Sequence, residues 1–310
     1  MTPSFFRAPI IGLAPMEGYT DSPFRQICKQ LNPQLLLYTE FTSADGLAYG
    51  AKRLQEKMRF HAMERPLLAQ IFGKDTQTFV TAAKWCEDMG FSGIDLNMGC
   101  PSKKVVRSEH GIALRQNPVL AMKIIEAVAK ATPLPVSVKT RLGWSDASGL
   151  IDFGKQAESA GAQLLAIHGR TYTVPYSVPA QFEPIKALKQ AVSIPVLANG
   201  GIVSIEDGMA KSKGLDGFLI GQAAIGNPWV FGTPVSFRER IPVILHHAQA
   251  MVDFYGAHGI VAFRKHLLAY VKGIPCAKQY RSQLCRVGSV EDIQNGLNEI
   301  ANQEVNHELR

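Results

Sequence analysis

The amino-acid sequence predicts an α/β protein: a (β/α)8 TIM barrel followed by a C-terminal helical domain. Three observations carry that expectation. Eight short apolar runs alternate with longer amphipathic segments between about residue 8 and residue 230. Each run is apolar on both faces, as a parallel strand covered by helices must be. Successive runs also end in polar residues or glycine, as expected where parallel strands open onto a binding face. An open doubly wound sheet is the competing architecture, but its usual strand count is about five or six.

The runs cover residues 10–14, 35–39, 66–72, 93–97, 135–139, 164–168, 195–199 and 218–221. Helix signals lie between them. Asp21-Ser22-Pro23 places a cap before a first-turn proline, and Asn117-Pro118 and Asn227-Pro228 repeat the device. Ser204 precedes Glu206 and Asp207, whose charges suit a helix N-terminus. Thr76 is the expected cap of the segment ending at Met89, with Gly90 as its stop; Gly161 ends the helix after Asp152 in the same way. Thr233-Pro234 and Ile241-Pro242 flank a short connector, after which the pattern changes to three or four helices. The expected division is a barrel over residues 1–235 and a helical domain over 242–310. In the latter, His246, His247, Phe254, His258, Lys265, His266, Tyr270 and Lys272 sit among apolar positions, and Lys278, Arg281 and Arg286 add charge. This reads as a basic face, with an ordinary solvated surface as the alternative.

Composition bounds the classes of function. A hydrophobic content of 46% and a charged content of 19% are those of a soluble globular protein. The formal net charge of +7 suits a polyanionic partner such as RNA, although charge alone does not select one. The five cysteines, Cys28, Cys86, Cys100, Cys276 and Cys285, are odd in number, and no pair has metal-ligand spacing. Neither a disulfide framework nor a metal site is expected, and a reducing cytoplasm is the natural compartment. Pro3, Pro9 and Pro15 interrupt the apolar N-terminus, so neither a signal peptide nor a membrane anchor is expected.

The strand ends carry the candidate chemistry. They read Ala14-Pro15-Met16, Glu40, Gln70, Asn97 with Cys100, Lys139 with Arg141, His168 with Arg170, Asn199-Gly200-Gly201 and Gly221-Gln222. Backbone N–H groups at the last two turns can hold a phosphate, or the turns can simply be tight connections. Lys139 ends an apolar run, where an ammonium needs an anionic partner. It can face the electron-rich edge of a reduced flavin, form a Schiff base, or pair with a core carboxylate. Gln70 can both donate to and accept from a ring imide. His168 can face phosphate or substrate, or be structural. Cys100 follows Asn97 on a turn stiffened by Pro101; a thiol of pKa about 8.5 is mostly protonated at neutral pH and can act as an acid, or it can be inert. Asn97 can hydrogen-bond a uracil-like edge. Lys103, Lys104 and Arg107 follow on a loop able to meet phosphates. The other four cysteines sit in helical patterns and read as packing.

Several stretches resemble one family. The segment Leu13-Ala14-Pro15-Met16-Glu17-Gly18-Tyr19-Thr20-Asp21, with Phe24-Arg25, is similar to the opening motif of the tRNA-dihydrouridine synthases. Asp95-Leu96-Asn97-Met98-Gly99-Cys100-Pro101, with Lys104-Val105, resembles that family's catalytic motif. Val138-Lys139-Thr140-Arg141-Leu142-Gly143-Trp144, His168-Gly169-Arg170-Thr171 and Asn199-Gly200-Gly201-Ile202 resemble its later signatures. The resemblance runs in order from Ala14 to Trp229. It implies an enzyme of the bacterial type that binds FMN tightly, takes reducing equivalents from NADPH and converts a specific uridine of the tRNA D-loop to 5,6-dihydrouridine. Hydride would pass from reduced flavin to uracil carbon 6, with Cys100 protonating carbon 5 from the opposite face. Asn97, Arg141 and Arg170 would meet substrate. Ala14, Pro15, Met16, Gln70, Lys139, His168, Asn199, Gly200, Gly201, Gly221 and Gln222 would hold the cofactor. The helical domain would bind tRNA, and a cytoplasmic monomer is expected.

Two departures stand out. The family's strand-eight turn usually reads Gly-Arg, and here it is Gly221-Gln222, so backbone amides would hold more of the phosphate. Tyr172, Pro175, Tyr176 and Pro179 occupy a loop that is often more polar in the family. Two other readings compete with the family's activity. One is a flavin barrel that reduces a free pyrimidine and leaves the basic tail without a role. The other is a non-catalytic RNA-binding module that kept the fold.

Overall fold

The computed structural model describes residues 3–274 and 277–308. The described residues form two compact units, one of residues 3–21 and 34–222, the other of residues 22–33 with 223–274 and 277–308.

The first unit is built on nine strands: β1 (Ile10–Leu13), β2 (Leu37–Tyr38), β3 (Thr42–Ser43), β4 (Leu67–Phe72), β5 (Gly93–Met98), β6 (Val136–Arg141), β7 (Leu164–His168), β8 (Val196–Asn199) and β9 (Gly217–Ile220). All eight apolar runs are strands of one parallel sheet, ordered β1-β9-β8-β7-β6-β5-β4-β2. The seam between β1 and β2 closes through an isolated bridge from Gly12 to Leu36, with the Leu13 N–H donating to Leu36 O and the Leu36 N–H to Ile11 O. The sequence pattern did not anticipate β3, which pairs with β4 beyond the end of β2.

Two side-chain periodicities explain the layering. The helix Thr76–Asp88 buries Phe79, Ala82, Ala83 and Cys86, and Pro118–Ala131 buries Ala121, Ile124, Ile125 and Val128. Both sets follow the i, i+3, i+4, i+7 spacing of one helical stripe laid on the outside of the sheet. Inside the barrel, Ile10, Ala14, Leu36, Tyr38, Leu68, Leu164, Ala166, Leu197 and Leu219 form a single apolar cluster. Strand side chains alternate, so residues two positions further along each strand share that inward face. Those residues are Glu40, Gln70, His168, Asn199 and Gly221. The same alternation that fills the barrel floor with Leu and Ala turns polar groups inward at the C-terminal ends.

Two caps and two glycine stops of the barrel hold, and two helix signals are corrected. Asn117 and Ser204 cap as expected, accepting from the Leu120 and Asp207 N–H groups, and Gly90 and Gly161 adopt φ of 77° and 106°. The helix expected to start at Thr76 is instead capped by Asp75, whose side chain accepts from the Thr78 N–H. Asn227-Pro228 opens only a 3-10 turn, Pro228–Phe231.

In the second unit four helices, Phe237–Tyr255, Gly259–Tyr270, Ala277–Leu284 and Val290–Glu308, follow that turn. Pro242 does not belong to a connector: it lies inside Phe237–Tyr255. A Ser236–Glu239 capping box starts that helix ahead of it, and Phe237, Ile241, Ile244, Ala248 and Met251 bury one continuous stripe. Pro242 faces solvent and removes a single backbone donor, a cost the buried stripe outweighs. His247 and His266 are fully buried, so they are not part of a basic face. Burial pushes His266 down to about 3 and His247 well below its ordinary value, leaving both neutral. Lys265, Lys272, Lys278, Arg281 and Arg286 are exposed. Among the cysteines, Cys28 and Cys86 are packed in cores, but Cys285 is exposed in a turn and does no packing; Cys276 lies outside the described residues.

The seam gives the first prediction. A Cβ at Gly12 would stand 2.7 Å from both Leu219 Cδ2 and Leu36 O, and the carbonyl belongs to the bridge itself. Gly12→Ala is expected to lower stability by about 1–3 kcal/mol through overpacking. Urea unfolding would read this as a lowered midpoint with an unchanged slope, and an unchanged midpoint would show that the seam yields.

Candidate active site

The polar strand ends are joined by a chain of hydrogen bonds that starts at Asp95, a fully buried residue of β5. Register places Gln70 opposite Asp95, Asp95 opposite Ser137, and Asn97 opposite Lys139. Asp95 accepts from Gln70 Nε2 at 2.6 Å and from Ser137 Oγ at 2.5 Å. Gln70 Oε1 accepts from Asn97 Nδ2 at 2.9 Å. Asn97 Oδ1 accepts from the backbone N–H groups of Cys100 at 2.9 Å and Gly99 at 3.2 Å. The Gly99-Cys100 turn is thereby tied, side chain by side chain, to the barrel interior. Gly99 is needed there, since a Cβ would come within 2.9 Å of Thr140 Cα.

A second set is centred on Lys139. Its Nζ donates to Asn199 Oδ1 at 3.0 Å, and Asn199 Nδ2 donates to Leu219 O at 2.9 Å. Burial lowers the Lys139 pKa to about 8, opposed by the Asp95 charge. Burial raises Asp95 to about 6, opposed by hydrogen bonds from Ser137 and Gln70 and by Lys139. Each charge therefore makes the other tolerable. His168 is driven to about 2, first by burial and then by Lys139, Arg141 and Arg170. It is a neutral imidazole whose buried Nδ1 has no hydrogen-bond partner among the described residues.

The two arginines frame the rim. Arg141 donates from Nε to Gly99 O at 3.1 Å, from Nη1 to Thr171 O at 3.1 Å and from Nη2 to Tyr176 Oη at 2.8 Å. Arg170 donates from Nε to Val178 O at 2.5 Å. The Tyr176 ring lies 5.2 Å from the Arg141 guanidinium, 5.7 Å from that of Arg170 and 5.7 Å, edge-on, from His168. The glycine turns complete the ring. Gly200 and Gly201 have φ of 111° and 63°, and a Cβ at Gly200 would press on His168 Nε2 at 3.1 Å. Gly221 faces Ala14 Cβ and Met16 Sδ, each 3.6 Å from where its Cβ would be. Pro15 is half-buried and Gln222 exposed at their strand ends. The Gly18 N–H donates to buried Glu40, and Lys57 pairs with both Glu17 and Glu40, which ties down the loop after β1. Lys103, Lys104 and Arg107 are exposed on the short helix Lys103–Arg107, just beyond Cys100.

The residues fit a flavin phosphate and ring on their own chemistry. A buried imidazole nitrogen without a partner among the described residues belongs to the ring that packs on the positive-φ Gly200-Gly201 turn, and a cationic lysine and an amide lie on the same ring of strand ends. Sequence reasoning passed over three members of the site. Asp95 was visible as a carboxylate inside an apolar run, Ser137 stood two residues before Lys139, and Tyr176 was visible only as part of an unusual loop, because its partners Arg141 and Arg170 are distant or follow another strand.

Comparison with known proteins decides the family. The dihydrouridine synthase (Dus) family model matches residues 12–306. The chain belongs to the dihydrouridine synthase family. It is 38% identical over 298 residues to tRNA-dihydrouridine synthase B of Pseudomonas putida, covering 91% of this chain and 87% of that protein. It is 33% identical over 294 residues to the probable tRNA-dihydrouridine synthase 1 of Synechocystis sp., covering 90% and 82%. Among solved structures, morphinone reductase overlays with a TM-score of 0.50 at 12% identity, covering 72% of this chain and 85% of that one, which is a likeness of fold. The family match spans both compact units, so the helical unit is part of what the family shares. Among the described residues, no helix is long and apolar enough to cross a membrane.

Cys100 supplies a prediction for this dihydrouridine synthase family member. Burial raises its thiol pKa, outweighing the Ser102 N–H and the charges of Arg141 and Lys139. Alkylation of Cys100 by iodoacetamide, followed by mass spectrometry, is expected to keep rising with pH above 9, where a free thiol of pKa about 8.5 has begun to level off. A plateau near neutrality would show that the thiol is ionised at rest.

Proposed function

We propose that this protein is a flavin-dependent reductase of a specific uridine in the tRNA D-loop, with Cys100 as the acid. The observation that carries the reading is a thiol kept protonated by burial, on a turn held by Asn97, at the rim that also presents Lys139 and the positive-φ Gly200-Gly201 turn. Gln70, Lys139 and Asn199 would hold the ring of a tightly bound FMN. The Gly200-Gly201 and Gly221-Gln222 amides with His168 would hold its phosphate, and Ala14, Pro15 and Met16 would line its edge. When bound and reduced by NADPH, the FMN supplies the hydride that reaches carbon 6 of the uracil.

The chain's own residues account for the rest. Cys100 donates its proton to carbon 5, so hydride and proton together add across the double bond, and the thiolate is reprotonated from solvent. Arg141, Lys139 and the Ser102 N–H favour the thiolate and so lower the cost of that transfer. Asn97 keeps one N–H of Nδ2 for the base, because its oxygen is fully used by the turn. Arg141 and Arg170, steadied by Tyr176, offer positive charge at the substrate rim.

The target uridine must leave its stack to reach such a rim. Lys103, Lys104 and Arg107 would meet the flanking phosphates. The exposed cations of the helical unit, Lys265, Lys272, Lys278, Arg281 and Arg286, would hold the body of the tRNA. The family match over that unit favours tRNA above a free pyrimidine as substrate. A cytoplasmic monomer, in the compartment that holds tRNA and NADPH, completes the reading.

The purified protein is expected to be yellow, with an absorbance band near roughly 450 nm, and a colourless protein that takes up no flavin would overturn the reading. Cys100→Ala should lower dihydrouridine formation by about 100-fold or more while NADPH still bleaches the band. Undiminished reduction of tRNA by that variant would remove Cys100 from the mechanism.

A further inference from the structure

Asp95 touches neither the rim nor the glycine turns, yet the hydrogen-bonded chain begins with it. An ionised carboxylate can only accept, so Gln70 must turn its Nε2 toward Asp95. That places Gln70 Oε1 toward Asn97, which must answer with Nδ2. Asn97 is then left with Oδ1 for the Gly99 and Cys100 N–H groups, which can only donate. Read from the other end, the two backbone donors require the same orientation. Both ends agree, and a chain with two amides in series tolerates no other assignment.

We propose that Asp95 is a positioning residue: through Gln70 it sets which way the Asn97 amide points, and so holds the Gly99-Cys100 turn in place. The inference rests on the proposed function only for what the turn is for. The geometry assigns direction to the chain whatever reaction the rim performs. A neutral amide at position 95 removes the charge that permits one direction only: it can turn either its oxygen or its NH2 toward Gln70, because the Ser137 hydroxyl can accept as well as donate, and the second choice reverses Gln70 and Asn97 and brings an N–H of Asn97 against the two backbone N–H groups. A carboxylate at position 70 restores the direction, since it accepts from the amide at position 95 on one side and from Asn97 on the other.

The two variants therefore form a test. Asp95→Asn in the full-length protein is expected to speed amide hydrogen exchange at Gly99 and Cys100 about tenfold or more, the loss of charge-assisted hydrogen bonding, as read by mass spectrometry of peptides over 97–103. Adding Gln70→Glu should return exchange to near the parental rate. Adding Lys139→Met instead should not. Unchanged exchange in folded Asp95→Asn would overturn the proposal. So would rescue by Lys139→Met without rescue by Gln70→Glu, which would make Asp95 a mere counter-charge for the lysine. If Asp95→Asn alone does not fold, recovery of fold and slow exchange in the Asp95→Asn/Gln70→Glu protein supports the proposal, and failure to recover overturns it. Dihydrouridine formation by the parental protein is assayed beside these. Its absence removes the proposed function and leaves the exchange result standing; its presence with unaltered exchange removes the role of Asp95 alone.

Discussion

The interior of the barrel holds two opposite charges, and much of the site follows from them. Asp95, fully buried, and Lys139, half-buried, sit on adjacent strands, with Asp95 raised to about 6 and Lys139 lowered to about 8. Removing either would strand its partner in a low dielectric, which is far costlier than never having placed the pair there. The pair also fixes its neighbours. The carboxylate orients Gln70 and Ser137, and the ammonium orients Asn199, so three neutral side chains acquire one permitted direction each. Leu68, Ala166 and Leu197 beneath them complete a packed floor, so the site does not rest on loops alone.

The same electrostatics explain which groups carry charge. Three histidines that a sequence could offer as cations, His168, His247 and His266, are all driven neutral by burial. Positive charge is left to arginine and lysine. At the rim, Arg141 gives hydrogen bonds to two backbone carbonyls and to Tyr176, and Arg170 gives one to the Val178 carbonyl, which ties both to the wall. The exposed cations, Lys103, Lys104 and Arg107, stand outside on a short helix. Fixed charge near the turn and adjustable charge beyond it suit a base held closely and a backbone held loosely.

The barrel was legible because its signals are local. Apolar runs, caps and polar strand ends each occupy a few residues, and all eight runs became strands of the sheet. The errors were local too. Asp75 displaced Thr76 as a cap because its carboxylate reaches the Thr78 N–H, and Pro242 was absorbed into a helix that had already started at Ser236. The site was legible as a set of positions, since strand alternation carries Gln70, His168 and Asn199 inward on the register of Leu68, Ala166 and Leu197. Its connections were not. Asp95 to Gln70 spans 25 residues and Arg141 to Tyr176 spans 35, and no periodicity encodes which amide oxygen faces which strand.

A thiol acid and a cationic lysine near one another present an apparent conflict, because positive charge pulls a thiol toward its anion. The structure resolves it by position. Lys139 spends its charge on Asp95 and Asn199, within the barrel, and Arg141 spends much of its hydrogen bonding on carbonyls of Gly99 and Thr171. Burial is then the largest influence on Cys100, and its pKa rises in spite of both cations. The cations are still close enough to act when a thiolate forms. A group that is protonated at rest and assisted once it has lost its proton is what an acid needs, whereas a resting nucleophile would need the opposite order. In this reading burial keeps the thiol protonated until a substrate takes the proton, and Asp95 acts on it only through the Gln70–Asn97 chain that holds its turn.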